Sequence, residues 1–251
     1  MTAARPRMLV TAGNTLTPID AVRGITNIFS GRTGARIAAE ATLEGYDVEL
    51  LTSKPDVIDD TVVDYSRLEL SEYQTFDDLA ELLEGRVRNG GFDVIVHAAA
   101  VSDYRCTAVY ETPGKPMPAD ADSIAASPET SFTRVDASTK ISSGHNDLWI
   151  RLAPTPKLVD QIRSPWGFAG VLVKFKLEVG VGEAELARRA ADARLQSGAD
   201  LVVANSFESM LDRAFIIDGA SIESIERPRL PSRLLARIAD LRSRKAASPK
   251  T

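Results

Sequence analysis

The chain has only one cysteine, Cys106, and two histidines, His97 and His145, in 251 residues. A single thiol excludes an internal disulfide and fits a reducing compartment. Neither histidine offers an obvious base for a thiol nucleophile, so Cys106 is read as incidental. There is no basic excess: the formal net charge is −5. Nucleic-acid binding normally needs a basic stripe, and it is excluded on that ground. The one basic cluster, Arg242 to Lys250, reads as a solvated, frayed end. No stretch approaches the ~20 apolar residues of a membrane span. The N-terminal residues run into the first strand without the apolar core of a leader. A cytoplasmic protein with neither nucleic-acid nor membrane partners is expected. Also missing is the ordinary dinucleotide fingerprint, whose glycines follow the first strand within a few residues.

What is present is a soluble globular composition, 44 % apolar and 26 % charged. Apolar runs and helical patterns alternate. Met8–Ala12 reads as a first strand, Gly34–Glu44 as an alanine-rich helix stopped by Gly45, and Val48–Thr52 as a second strand. Val62–Tyr65 is a candidate third strand. Phe76, Leu79, Leu83 and Val87 share one helical face, and Asp93–Ala100 is a buried-looking strand. This β-α-β-α-β order predicts a mostly parallel sheet with helices on both faces, a Rossmann-like three-layer α/β/α sandwich. From Arg105 to Thr139 the chain changes. It carries Pro113, Pro116, Pro118 and Pro128 and few long apolar residues, and reads as an excursion with at most a strand pair. Leu148, Ile150 and Leu152 then alternate as on a half-buried strand. A short helix over 155–163, a strand over 171–179, a helix over 183–196 and a strand over 200–205 follow. A hairpin turns at Asp218-Gly219, and an amphipathic helix carries Leu234, Ile238 and Leu241. No linker divides the chain, so residues 1–251 read as one nucleotide-binding domain with a flexible excursion at about 105–143.

In such sheets ligands bind beyond the carboxyl ends of the strands. Two motif stretches fall there. After the first strand come Gly13, then Pro18-Ile19-Asp20, Arg23 and Asn27, then Ser30-Gly31-Arg32-Thr33-Gly34 opening a helix. Unpaired backbone N–H groups at a glycine-rich helix start attract phosphate. The interval from Gly13 to Ser30 is long enough to bring polar side chains into a site. After the later strand comes His97-Ala98-Ala99-Ala100, then Asp103-Tyr104. Small residues there admit a ligand close to the backbone, and Asp103 adds a carboxylate for a metal or a base; the same alanines also suit packing under a helix. Lys140, in Lys140-Ile141-Ser142-Ser143, reads alone as a surface lysine, and on a mobile segment as a cation able to close over phosphate. Phe175 and Lys176 at one strand end, with Asn205 at the next, offer a ring, a cation and an amide; Phe175 reads equally well as core.

Taken in order, these pieces resemble the phosphopantothenate–cysteine ligases of coenzyme A biosynthesis over about Met8 to Ile238. The Lys140-Ile141-Ser142-Ser143 and Phe175-Lys176-Leu177 forms look like the stand-alone bacterial version, with no decarboxylase domain ahead of the first strand. The resemblance implies a two-step ligation of 4′-phosphopantothenate and L-cysteine through an acyl-nucleotidylate. The nucleotide is CTP in most bacterial members and ATP in eukaryotic ones, used with Mg²⁺. Such chemistry needs oriented N–H groups, amides and cations more than a nucleophilic side chain. By the same resemblance, Asn27 and Arg23 serve the reaction with cysteine and Lys140 the formation of the acyl-nucleotidylate. Gly13, Ser30, Gly31 and Gly34 would belong to the phosphate cradle. Ala99, Ala100, Asp103, Phe175, Lys176 and Asn205 would line the nucleotide pocket; no metal ligands are assigned. A homodimer is implied, with the excursion as a dimer element. Three departures stand out. Asn14 and Lys174 occupy positions where the family usually has glycine. Ser197 and Gly198 lie close to where many CTP-using members carry a lysine. Two other readings remain. A short-chain dehydrogenase or epimerase lacks its glycine fingerprint and its tyrosine–lysine pair here. A non-catalytic nucleotide-binding homologue is separated from the ligase by pyrophosphate release.

Overall fold

A computed structural model describes residues 4–58, 63–112, 132–219 and 221–247. The four prolines Pro113, Pro116, Pro118 and Pro128, and residues 113–131 of the expected excursion, lie outside these residues. The chain divides into two compact units. One comprises Met1–Thr15, Ile28–Ala100 and Lys157–Thr251; the other comprises Leu16–Asn27 and Val101–Pro156.

The first unit is built on an eight-stranded sheet. Its strands are β1 (Arg7–Ala12), β4 (Asp47–Thr52), β5 (Leu68–Glu72), β6 (Val94–His97), β10 (Val171–Glu178), β11 (Leu201–Ser206), β12 (Arg213–Ile217) and β13 (Ile222–Glu226). The order across the sheet is β13-β12-β11-β10-β6-β1-β4-β5. From β11 to β5 every pairing is parallel; β12 and β13 add an antiparallel hairpin at one edge. Central strands buried on both faces read as unbroken apolar runs, and Met8, Leu9 and Val10 are fully buried. One face carries helices α1 (Arg32–Leu43) and α5 (Leu230–Ala247), whose Ile37, Ala38, Leu234 and Ile238 pack on Val10, Leu50, Val96 and Val203. The other face carries α2 (Phe76–Asn89), α3 (Leu158–Arg163) and α4 (Glu183–Ser197). There Leu186 and Ala190 pack on Val202 and Ala204. This is the Rossmann-like three-layer α/β/α sandwich.

Local chemistry accounts for the boundaries. Thr75 and Asp78 form a reciprocal capping box that starts α2. Gly198, left-handed at φ 64°, ends α4. The third strand differs from expectation: Tyr65–Arg67 is a 3₁₀ turn and the strand is Leu68–Glu72. Val62 lies outside the described residues. The strand expected over 93–100 stops at His97, although the Ala98 and Ala100 amides still bond the Thr11 and Gly13 carbonyls along the β1 stretch. The basic C-terminal cluster is not wholly frayed. Helix α5 runs to Ala247, Arg242 lies over the Tyr46 ring, and Lys245 pairs with Asp200 at 2.9 Å.

The second unit holds the hairpin β2 (Leu16–Pro18) and β3 (Gly24–Thr26), and a three-stranded antiparallel sheet. That sheet is ordered β8 (Thr133–Val135), β7 (Tyr104–Glu111), β9 (Trp149–Pro154). Thr17 Oγ1 donates to the Tyr104 carbonyl at 3.0 Å, tying the hairpin to β7. The Leu148–Leu152 alternation does mark a strand, but its apolar side chains face outward. Ile150 and Leu152 are 37 % and 43 % exposed, beside Tyr104 at 53 %.

Candidate active site

In the first unit the cradle forms where β1 ends against the start of α1. Gly13 and Gly31 both have positive φ, 88° and 82°. A Cβ on Gly31 would lie 2.4 Å from the Gly13 nitrogen, and one on Gly34 would lie 2.7 Å from Ala12 Cβ. Two stretches of backbone therefore touch with no room for a side chain. Helix α1 has no side-chain cap at Gly31 and no acidic residue in its first turn. Its amide end keeps its positive character for an incoming anion. Ser30 is exposed beside it.

Asn14 has a definite task in place of the expected glycine. Its backbone N–H donates to Ser53 Oγ at 2.9 Å, and its side-chain amide donates to the Phe29 carbonyl at 3.0 Å. It fastens the Gly13 turn to the segment that leads into Ser30. The Ala100 N–H donates to the Gly13 carbonyl at 2.8 Å. The Ala99 N–H donates to Thr11 Oγ1 at 3.2 Å, and that hydroxyl lies 3.0 Å from His97 Nδ1. Burial, and next the Lys174 charge, push the His97 pKa down to about 4. Ala99 and Ala100 thus offer small side chains to a ligand, because their amides are already engaged.

Strand alternation divides the remaining candidates. Phe175 faces the α1 and α5 side, packed against the core. Asn205 lies on the same side, and its Oδ1 accepts from Arg227 at 2.7 Å. Arg227 also donates to Thr33 Oγ1 in the first turn of α1. Burial and the nearby Arg36 lower the Arg227 pKa, and among the described residues no carboxylate pairs with it. The result is a cation at the positive end of a helix. Lys176 lies on the opposite face, paired with Glu178 at 2.9 Å. Lys174 shares that face; it is buried, its ammonium donates to the Ala193 carbonyl at 3.2 Å, and burial lowers its pKa.

The second unit contributes another group of residues. Arg23 grips Asp20 through Nε at 2.9 Å and through Nη2. That hydrogen bond above all holds the Asp20 carboxyl far below the usual range. Arg23 Nη2 also donates to the Ile141 carbonyl at 2.7 Å, next to the exposed Lys140. Asn27 is half-buried, and Asp103 is exposed at a turn fixed by Thr155 N–H on the Asp103 carbonyl at 2.9 Å. Among the described residues no group of three His, Cys, Asp or Glu side chains is arranged to hold a metal ion. Nor is any described helix long and apolar enough to cross a membrane.

Comparison with known proteins identifies the domain. Residues 3–118 match the DNA/pantothenate metabolism flavoprotein C-terminal domain. Over 208 residues, 81 % of the chain, the sequence is 34 % identical to the coenzyme A biosynthesis bifunctional protein CoaBC of Thermococcus kodakarensis. Over residues 3–118 the chain carries the domain of this family. The CoaBC protein of Methanocaldococcus jannaschii is 26 % identical over 203 residues, 79 % of the chain. The chain spans 42 % and 40 % of the lengths of these two relatives. The crystal structure of the DNA/pantothenate metabolism flavoprotein from Streptococcus pneumoniae matches with a TM-score of 0.77 at 26 % identity, covering 95 % of this chain and all of that one. A Cab2 variant in complex with phosphopantothenate-cysteine shares the fold, with a TM-score of 0.68 at 17 % identity over 97 % of this chain and 89 % of that one.

Sequence reasoning underrated two residues. Asp20 was read only as one polar residue of the interval between Gly13 and Ser30, although its spacing to Arg23 suits an aspartate bonding backbone N–H groups two and three residues on. Arg227 sits in a polar Glu-Arg-Pro-Arg stretch that carries no local signal; only the fold brings it to α1.

Proposed function

We propose that the chain is a phosphopantothenate–cysteine ligase. The carboxylate of 4′-phosphopantothenate attacks the α-phosphorus of CTP or ATP, and pyrophosphate leaves. The amine of L-cysteine then attacks the acyl carbon, the nucleoside monophosphate leaves, and the amine loses a proton. The observation that carries this reading is the cradle itself, in a chain that carries this family's domain. Gly13, Gly31 and Gly34 let the backbone of β1 and α1 approach to contact, the α1 amides have no side-chain cap, and among the described residues no carboxylate pairs with Arg227. That environment suits a polyanion at a site with no nucleophilic side chain, as two displacements at activated phosphorus and carbon require.

Within this reading, Ser30, Gly31, Gly34 and Gly13 bind phosphate. Phe175, Asn205, Ala99, Ala100 and Asp103 receive the nucleotide, whereas Lys176 lies on the opposite strand face, paired with Glu178. Lys140 supports acyl-nucleotidylate formation; Asn27 and Arg23 support its reaction with cysteine. Mg²⁺ would arrive on the triphosphate, with Asp103 as a carboxylate within the motif; Mg²⁺ commonly uses few protein ligands. The chain works as one cytoplasmic ligase domain over 1–251 in a homodimer. The outward apolar face of β7 and β9, with Tyr104, Ile150 and Leu152 exposed, supports the dimer.

The test is pyrophosphate release with Mg²⁺, 4′-phosphopantothenate and L-cysteine, comparing CTP with ATP. Release that depends on phosphopantothenate is expected, with Asn27→Asp accumulating the acyl-nucleotidylate and forming little product. No release from folded protein with either nucleotide overturns the reading in favour of a non-catalytic nucleotide binder.

A further inference from the structure

Asp20 lies in the Ile19–Arg23 bend between β2 and β3, and its side chain is fully enclosed. Its two oxygens accept from the N–H groups of Val22, Arg23 and Ile141 and from Arg23 Nε and Nη2. The bond from Ile141 is 3.0 Å long and spans 121 residues of sequence. Arg23 Nη2 holds the Ile141 carbonyl from the other side. Both polar backbone groups of Ile141 are therefore gripped by one ion pair, and its side chain is buried at 3 % exposure. Lys140, one residue earlier, projects to solvent. A loop held this way at one residue presents its neighbour in a fixed place without ligand.

We infer that Asp20 is a positioning residue, which with Arg23 latches the loop that carries Lys140 and so presets the lysine for the first half-reaction. This rests on the proposed ligase reading. It also gives Arg23 a second duty: two of its three guanidinium nitrogens are engaged in the latch. Asp20 itself touches no reacting atom. Its charge matters because a carboxylate accepts several short hydrogen bonds at once, whereas an amide of the same shape accepts fewer and offers donors where the site needs acceptors.

Two measurements test this. The first is amide hydrogen exchange at Ile141 in the full chain without substrates. Asp20→Asn is expected to speed exchange there by about tenfold or more, with β1 and β6 amides unchanged. The second is a double-mutant cycle on acyl-nucleotidylate formation. Asp20→Asn is expected to lower kcat by about tenfold or more while the nucleotide KM stays within about twofold. In a Lys140→Gln background the same change should add little, because its effect passes through Lys140. If Asp20→Asn does not fold, Arg23→Lys carries both measurements: it keeps the charge but loses the fork that reaches Asp20 and Ile141 together. Unchanged exchange at Ile141 overturns the latch. Fully additive losses in the cycle overturn its action through Lys140. If wild type shows no ligase activity but the exchange result holds, the reaction fails and the latch stands.

Discussion

The contact of Gly31 with Gly13 makes a quantitative prediction when set against Gly45. Both Gly31 and Gly45 have positive φ, 82° and 87°. An added Cβ at Gly45 meets nothing within 4 Å, whereas at Gly31 it lies 2.4 Å from the Gly13 nitrogen and 2.7 Å from Gly13 Cα. Gly45→Ala therefore costs only the left-handed backbone term, about 1–2 kcal/mol. Gly31→Ala adds the displacement of neighbouring backbone, and forced overpacking costs roughly 1–3 kcal/mol. The expected total is about 2–5 kcal/mol. With a urea m-value of about 3 kcal/mol/M for a chain of this size, the unfolding midpoint moves by about 1 M for Gly31→Ala and under about 0.7 M for Gly45→Ala. The functional difference is sharper. Gly31→Ala pushes apart the two backbone stretches of the cradle, so the nucleotide KM should rise by about tenfold or more; Gly45→Ala should leave it unchanged. Urea titration of both variants, followed by pyrophosphate release at varied nucleotide, makes the comparison. Equal stability losses with an unchanged KM for Gly31→Ala would refute the argument that the touching backbone is the phosphate site.

His97 is buried neutral, with its pKa down from 6.5 to about 4. The unfolded chain binds the extra proton first, so stability falls as pH drops from about 6.5 towards 4, by up to about 3 kcal/mol; urea midpoints of His97→Gln should be flatter across that window. Arg227→Gln removes the cation beside α1 and should raise the nucleotide KM by about tenfold, with a smaller effect on thermal unfolding. Leu152→Asp places a charge in the outward apolar face of β9 and should turn a dimer into a monomer by sedimentation; an unchanged dimer would locate the interface elsewhere.

The parallel sheet was legible because its central strands are unbroken apolar runs and its helices carry one apolar stripe each. Gly45, Gly198 and the Asp218-Gly219 turn marked boundaries by chemistry that needs no tertiary context. The outward face of β9 was misread, because alternation reports that two faces differ and not which of them meets solvent. The third strand was misplaced because Leu68–Glu72 is half polar at the sheet edge, with nothing of the central pattern. Among the site candidates, the Gly13 to Gly34 segment was visible because glycines at a helix start have few other uses. The split of Phe175 from Lys176 follows from period two along a strand and could have been read. The Asp20 link to Ile141 and the Arg227 link to Thr33 and Asn205 could not, since each joins residues more than 100 positions apart or rests on a lone arginine with no pattern around it.

The second unit is assembled from two pieces of chain, 16–27 and 101–156. On a ribosome the short first piece emerges long before the residues that complete it. Its Asp20 carboxylate has no Ile141 amide to receive until at least 121 further residues have been made. The nascent hairpin must wait with a charged group that is destined for burial still in water. Closing so long a loop is slow compared with forming local helices. The latch that places Lys140 therefore cannot form until both pieces of the second unit have been made.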